Sequence, residues 1–297
     1  MSGSVRAASV IALCVAAYLL GLYGGYARTW PVPQLKALVA ARLKPSVHRD
    51  EFGRLLDYPG KVAVPCPAQD KATAVLLVSG QSNAGNYQGQ RYAGIDDRVI
   101  NFSQGRCTIA SSPLLGADGH YGESWTLLGN KLIRANLYST VVLIPASVGS
   151  TPIHRWAAGG DLDRMLVSVL RDTKPRYAIT AILWHQGATD YTLHTPENTY
   201  RSDLESLIQV IRDEGVAAPF YVSKSSYQQA ADWSEDNPVS RAQAALVDGR
   251  AILAGPDTDH EVTAIDRFDG LHFSASGQEK FTDAWVRLLR AQRSAEQ

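Results

Sequence analysis

The 297 residues include only three cysteines and two methionines, and charge of neither sign is in excess, with 29 Lys+Arg against 29 Asp+Glu. Each shortage removes a class of protein. No C-x-x-C pair and no H-E-x-x-H helix occurs among the three cysteines and seven histidines, so the standard zinc and dithiol patterns are missing and nothing requires a metal or another cofactor. With zero formal net charge and no Lys/Arg block set among aromatics, no long-range field favours phosphate backbones, and nucleic acid is not an expected partner. There is no internal repeat and no low-complexity tract.

What remains is ordinary globular composition, 45% hydrophobic and 20% charged, and the length fits one large α/β domain behind an N-terminal segment. Residues 7–27 carry no charge and lie between Arg6 and Arg28, long enough to span a bilayer as a helix. The alternative is a cleaved signal peptide, with Gly25-Tyr26-Ala27 as a small-x-small processing site. Either way the chain is expected to be exported, to the periplasmic or extracellular face, with membrane association through 7–27 if the segment stays. The expected divisions are a membrane anchor or signal at 1–30, a stalk and linker at 31–71 with an amphipathic stretch at 34–44, and a folded domain at 72–297. Cys66 and Cys107 are either a disulfide of an oxidising compartment or two unrelated buried thiols.

Short apolar runs at 74–79, 99–102, 141–147, 178–184, 220–223 and 251–254 read as buried strands. They alternate with helical patterns at about 124–136, 162–172, 196–214, 238–247 and 276–292, which predicts a parallel sheet covered on both faces. In such sheets ligands bind beyond the carboxyl ends of the strands. The first strand runs into Gly80-Gln81-Ser82-Asn83, placing a serine hydroxyl at the sheet edge. Asp269 lies three residues before His272 ahead of the last helix, close enough to turn back onto the imidazole Nδ1. The strand at 141–147 runs into Val148-Gly149-Ser150-Thr151, and the strand at 178–184 into His185-Gln186-Gly187-Ala188-Thr189-Asp190. There Gly149 offers a backbone N–H and Gln186 a side-chain amide for oxyanion stabilisation.

These blocks, in this order, resemble those of the SGNH hydrolases, specifically the sialate O-acetylesterase-like branch also called carbohydrate esterase family six. The resemblance covers roughly residues 74–290 and rests on Gly80-Gln81-Ser82-Asn83, the stretch from Ser147 to Trp156, Trp184-His185-Gln186-Gly187 and Asp269-Gly270-Leu271-His272. It implies a three-layer α/β/α, flavodoxin-like fold with Ser82 as nucleophile, His272 as base and Asp269 as its partner. The N–H groups of Ser82 and Gly149 and the Gln186 side chain would form the oxyanion hole. Gln81, Asn83, His185 and Asp190 would support the site or touch substrate. Two positions depart from the family: Ala188 stands where Glu is usual, and Ser150 where a second Gly is usual.

Other readings of the same residues are weaker. Gly80-x-Ser82-x-Ala84 nearly matches the G-x-S-x-G elbow of α/β-hydrolases, but that fold puts its serine mid-domain and its acid well before the histidine. Asp257, Asp259 and His260 form a polar loop rather than a metal site. His154 and Arg155 are candidates for substrate contact, and Tyr87, Trp125, Trp156 and Trp184 offer faces for sugar stacking but are more economically read as packing. The expected function is a cofactor-free serine esterase that removes O-acetyl groups from a carbohydrate. The alternatives are an O-acetyltransferase using the same acetyl-serine, and a carbohydrate-binding protein on an inactive esterase fold.

Overall fold

The computed structural model describes residues 14–19, 21–23 and 47–295, and the chain divides into two units, Met1–Ser46 and Val47–Gln297. In the first unit, residues 14–19 and 21–23 are helical. The remainder of the expected membrane segment at 7–27 and the expected stretch at 34–44 lie outside the described residues. Among the described residues no helix is long and apolar enough to cross a membrane, so the anchor has no support in the structure.

The second unit is built on one eight-stranded sheet of β1 (Ala63–Val64), β2 (Thr73–Gly80), β3 (Val99–Ser103), β4 (Arg106–Ile109), β5 (Thr140–Ser147), β6 (Ala181–His185), β7 (Phe220–Lys224) and β8 (Ile252–Asp257). Their order is β1-β4-β3-β5-β2-β6-β7-β8. From β3 to β8 across the sheet every pairing is parallel, as the alternation of strands and helices requires. The β1–β4 and β4–β3 pairings are antiparallel.

Side chains of β2 alternate between two cores. Val75 and Leu77 join Val142, Ile144, Ile182 and Trp184 under α2 (Asp161–Thr173), α4 (Glu197–Asp213) and α5 (Pro238–Ala245). Leu76 and Val78 join Leu143 and Leu183 under α1 (Trp125–Arg134) and α7 (Ala275–Ala295), whose Trp125, Phe281 and Trp285 are fully buried. All eight residues of β2 are buried, which is why this strand reads as a continuous apolar run in the sequence. Short helices α3 (Ala188–Thr192) and α6 (Thr258–Glu261) sit in loops.

The strands and helices expected between residues 72 and 297 are all present, with ends displaced by a few residues. The expected strand start at 178 moves to Ala181 because the Ala178 N–H turns aside to the Gln69 side chain. Strands β1 and β4 were not expected, β1 being two residues long and β4 short and polar at alternate positions.

The expected linker at 31–71 is corrected from Val47 onward, where the chain packs into the second unit. Leu55 is fully buried and bonds through its backbone to Ala117 and Gly116. The Lys61 ammonium reaches the carbonyls of Ser111 and Pro113, and burial lowers its pKa to about 8. The Cys66–Cys107 disulfide then ties the segment to β4, which settles the alternative left open for these thiols. Residues 47–66 thus cover the antiparallel margin of the sheet instead of bridging to it.

Candidate active site

From the central strand β2 the chain moves first to β5 and β3 on one side and then to β6, β7 and β8 on the other. The crevice at such a reversal is where α/β sheets bind ligands. Gly80 ends β2 at φ 135°, and a Cβ there would lie 2.1 Å from the His185 carbonyl oxygen. Only glycine fits, and the chain leaves the sheet into a single 3-10 turn, Ser82–Ala84. That turn is pinned through the Ala84 carbonyl, which accepts from Trp125 Nε1 at 2.8 Å and Ser147 Oγ at 2.9 Å. Ser82, 4% exposed, makes no side-chain hydrogen bond, and its N–H has no protein acceptor among the described residues.

The expected Asp269–His272 pair is formed. One Asp269 oxygen accepts from His272 Nδ1 at 2.6 Å, and the other accepts from the backbone N–H groups of Leu271 at 3.0 Å and His272 at 2.7 Å. Burial opposes ionisation of Asp269, but the imidazole and the two N–H groups overcome it and hold the carboxyl below its ordinary value. A carboxylate only accepts, so Nδ1 carries the hydrogen and Nε2 is left as the basic nitrogen.

Asn83 joins this loop to the serine turn. Its Nδ2 donates to the Leu271 carbonyl at 3.3 Å and its Oδ1 accepts from the Phe273 N–H at 3.1 Å, bracketing His272 from the residue next to Ser82. Arg267 Nη1 donates to the same Leu271 carbonyl at 2.7 Å. Its guanidinium lies 4.0 Å from the Tyr227 ring centroid, and burial lowers its pKa to about 10. Asn83 therefore ties the His272 loop to the Ser82 turn.

Gln81 supports the opposite side, its Oε1 accepting from the N–H groups of Gly187 and Thr189 at 3.1 and 3.2 Å. His185 is corrected as a substrate contact. It is buried beneath the site, where Nε2 meets Thr258 Oγ1 at 3.0 Å and Nδ1 meets Ser225 Oγ at 3.4 Å. Since the Thr258 hydroxyl donates to the Lys224 carbonyl, His185 Nε2 is the donor in its pair. Desolvation, with Arg267 nearby, lowers its pKa to about 3 and keeps it neutral.

Gln186 is corrected as an oxyanion donor. It is fully buried, and its amide donates to the Thr151 carbonyl at 2.9 Å and to Asp190 Oδ2 at 2.5 Å, leaving no hydrogen for a ligand. Its own oxygen accepts from the Tyr200 hydroxyl at 2.9 Å. Asp190 also accepts from the Ile153 N–H and the Thr195 hydroxyl, so it ties the loops after β5 and β6 together while burial raises its pKa. The Gly149 N–H is occupied as well, donating to Asp118 Oδ2 at 2.8 Å.

Asp118 was missed in the sequence because it follows no strand. It comes from the loop between β4 and α1, and it also accepts from the Tyr87 hydroxyl at 2.7 Å. Tyr87, set aside as packing, stacks on His272 with centroids 5.6 Å apart and planes 20° apart. Ala188, at the family's usual Glu, is buried, and its carbonyl accepts from Gln228 Nε2 at 2.9 Å. Trp125, Trp156 and Trp184 are fully buried, as packing requires.

The residues weighed as metal ligands are engaged elsewhere. Asp259 is buried and accepts from the N–H groups of Ser226 and Tyr227 and the Ser226 hydroxyl. Asp257 caps His260 and pairs with Lys224. Among the described residues no group of three or more His, Cys, Asp or Glu side chains is arranged to hold a metal ion.

None of the curated protein sequences compared with the chain matches it. Among solved structures, a protein of Arabidopsis thaliana is 17% identical and shares its fold at a TM-score of 0.59, over 74% of this chain and 98% of that one. A carbohydrate acetylesterase of Xanthomonas citri is similar over 73% of this chain and 56% of its own, at 14% identity and a TM-score of 0.49. The model of the family described as carbohydrate esterase, sialic acid-specific acetylesterase matches residues 72–289, and the chain belongs to that family of carboxylic ester hydrolases.

Proposed function

We propose that this chain removes O-acetyl groups from a carbohydrate through an acetyl-Ser82 intermediate. The observation that carries the mechanism is the Asn83 clamp, which fixes the loop of the Asp269–His272 pair to the turn that begins with Ser82. His272 Nε2 takes the Ser82 proton as the oxygen attacks the acetyl carbonyl, and Asp269 stabilises the imidazolium. The Ser82 N–H meets the oxyanion, being the one of the three expected donors with no protein acceptor. His272 returns the proton to the departing sugar oxygen. It then activates water, which splits the acetyl ester and restores Ser82. No cofactor enters these steps.

We further place the chain in an oxidising, exported compartment, a reading supported by the Cys66–Cys107 disulfide and the uncharged segment at 7–27, which would anchor it to a membrane or be removed.

The test is hydrolysis of acetylated sugars and of p-nitrophenyl acetate by wild type and Ser82→Ala, with intact-mass detection of an acetyl adduct. Turnover is expected to fall by several orders of magnitude in Ser82→Ala, with folding unchanged. Comparable turnover by the two proteins would overturn the assignment. Acetylation of an added sugar acceptor would identify transfer in place of hydrolysis.

A further inference from the structure

Asp118 is a buried carboxylate that the proposed reaction does not use, yet it lies one side chain from the base. A single oxygen, Oδ2, accepts from the Gly149 N–H at 2.8 Å and from the Tyr87 hydroxyl at 2.7 Å, while Oδ1 is buried without a partner. The Tyr87 ring fills the space between two parts of the site. One side is stacked on the imidazole of His272. A Cβ on Gly149 would stand 3.0 Å from the ring on the other, so no larger residue fits there without moving it. Asp269 holds His272 within its plane through Nδ1. Nothing in that bond stops the ring from tilting, and a stacked ring of fixed height does.

We infer that Asp118 and Tyr87 form a second positioning arm for the base, in which the carboxylate, braced on the Gly149 N–H, holds the tyrosine ring against the face of His272. The inference rests on the esterase reading, because it gives the arm a catalytic base to position. Hydrogen bonds to an ionised carboxylate are roughly twice as strong as those to a neutral one, so the arm is firm when Asp118 is charged and slack when it is protonated.

Burial raises the Asp118 pKa to about 6, against the Gly149 N–H, the Tyr87 hydroxyl and the positive charge of Arg49, all of which favour ionisation. The other titratable groups on this side are His272 and Asp269 behind the Tyr87 ring, and His120, whose ring packs on Tyr121. The arm therefore loosens as pH falls through about 6. An arm that positions the base is expected to act on kcat rather than on KM.

The test is the pH profile of kcat for wild type, Asp118→Asn, Tyr87→Phe and Tyr87→Ala, beside Ser82→Ala as the marker of the esterase reading. The wild-type acid limb is expected to carry two ionisations and Asp118→Asn only one, with plateau kcat reduced on the order of tenfold and KM unchanged. Tyr87→Phe keeps the ring but removes its hydrogen bond to Asp118, so it is expected to behave as Asp118→Asn does, with one ionisation in the acid limb and plateau kcat reduced on the order of tenfold. Tyr87→Ala loses the ring and, on the order of tenfold or more, kcat.

An unchanged profile and kcat in Asp118→Asn overturns the inference. So does a raised kcat, which would mean that Asp118 withholds the Gly149 N–H from the oxyanion. A readout free of turnover is the His272 Hε1 resonance: the part of its ring-current displacement that comes from Tyr87, beside that of Phe268 at 6.2 Å, should be lost in Tyr87→Ala and shrink in Asp118→Asn, and no change in either overturns the arm. If wild-type turnover does not depend on Ser82, the esterase reading fails by itself, and the resonance alone decides whether the arm holds the imidazole.

Discussion

Ser150 lies in the left-handed region at φ 55°, on the exposed turn beside Gly149. A Cβ in that conformation crowds the following carbonyl, so the residue carries strain that the family's usual glycine does not. Ser150→Gly is expected to stabilise the fold by about 0.5–1 kcal/mol, less the entropy glycine adds to the unfolded chain, seen as a higher urea midpoint with unchanged slope. A lower midpoint would mean that the serine hydroxyl makes a contact worth more than the strain. At this scale the sequence was legible where the chemistry is local. Asp269 and His272 are three positions apart, and Ser82 directly follows a strand end. It was not legible where a group's direction decides its role: the Gln186 amide faces inward to Thr151 and Asp190, and Asp118 acts on a tyrosine 31 positions away.

Among elements, the parallel strands and the long helices were readable because each buries a continuous run or a stripe of apolar side chains. The stretch from Val47 to Cys66 has no such period and was read as linker, since its attachment depends on single anchors: Leu55, Lys61 and one disulfide. That disulfide closes a loop of 41 residues, and limiting the unfolded chain by that much corresponds to about 4 kcal/mol in the chain-entropy account. Cys66→Ser with Cys107→Ser, or full reduction, is therefore expected to lower the denaturation midpoint markedly. Because the disulfide itself lies at the β4 margin and not in the Ser82 crevice, turnover of the folded fraction should be preserved. If kcat at low temperature fell together with stability, the margin would be coupled to the site.

Over the whole molecule, acid and base limits are set by carboxyls pulled in opposite directions. Burial would raise the Asp266 pKa, but Lys280, Thr263 and Ser276 overcome it and bring it to about 2. A folded-state value below the unfolded one contributes stability above the ordinary carboxylate range, and that stability is lost as pH falls through about 2. Asp118, Asp190 and Asp259 are raised by burial instead, so their ionisation weighs against the fold at neutral pH and the weight lifts on mild acidification. Thermal unfolding followed from pH 8 downward should show Tm rising toward about pH 5 and then falling below about pH 4. Lys280→Met should lower Tm at neutral pH and flatten the acid end, because the Asp266 carboxyl loses the ammonium that depresses its pKa and with it the stability that acid removes. A Tm that declines steadily from pH 8 would contradict this balance of buried carboxyls.

The bond from the Phe273 N–H to Asn83 spans 190 positions, and it bears on when the site comes into being. Synthesis delivers Ser82 with the first long strand, but its base arrives only after every strand of the sheet has been made. On the proposed mechanism Ser82 is until then an ordinary hydroxyl, and a partly made chain carries no assembled nucleophile to hydrolyse acetyl esters around it. The site closes only when the two ends of that span of 190 positions meet.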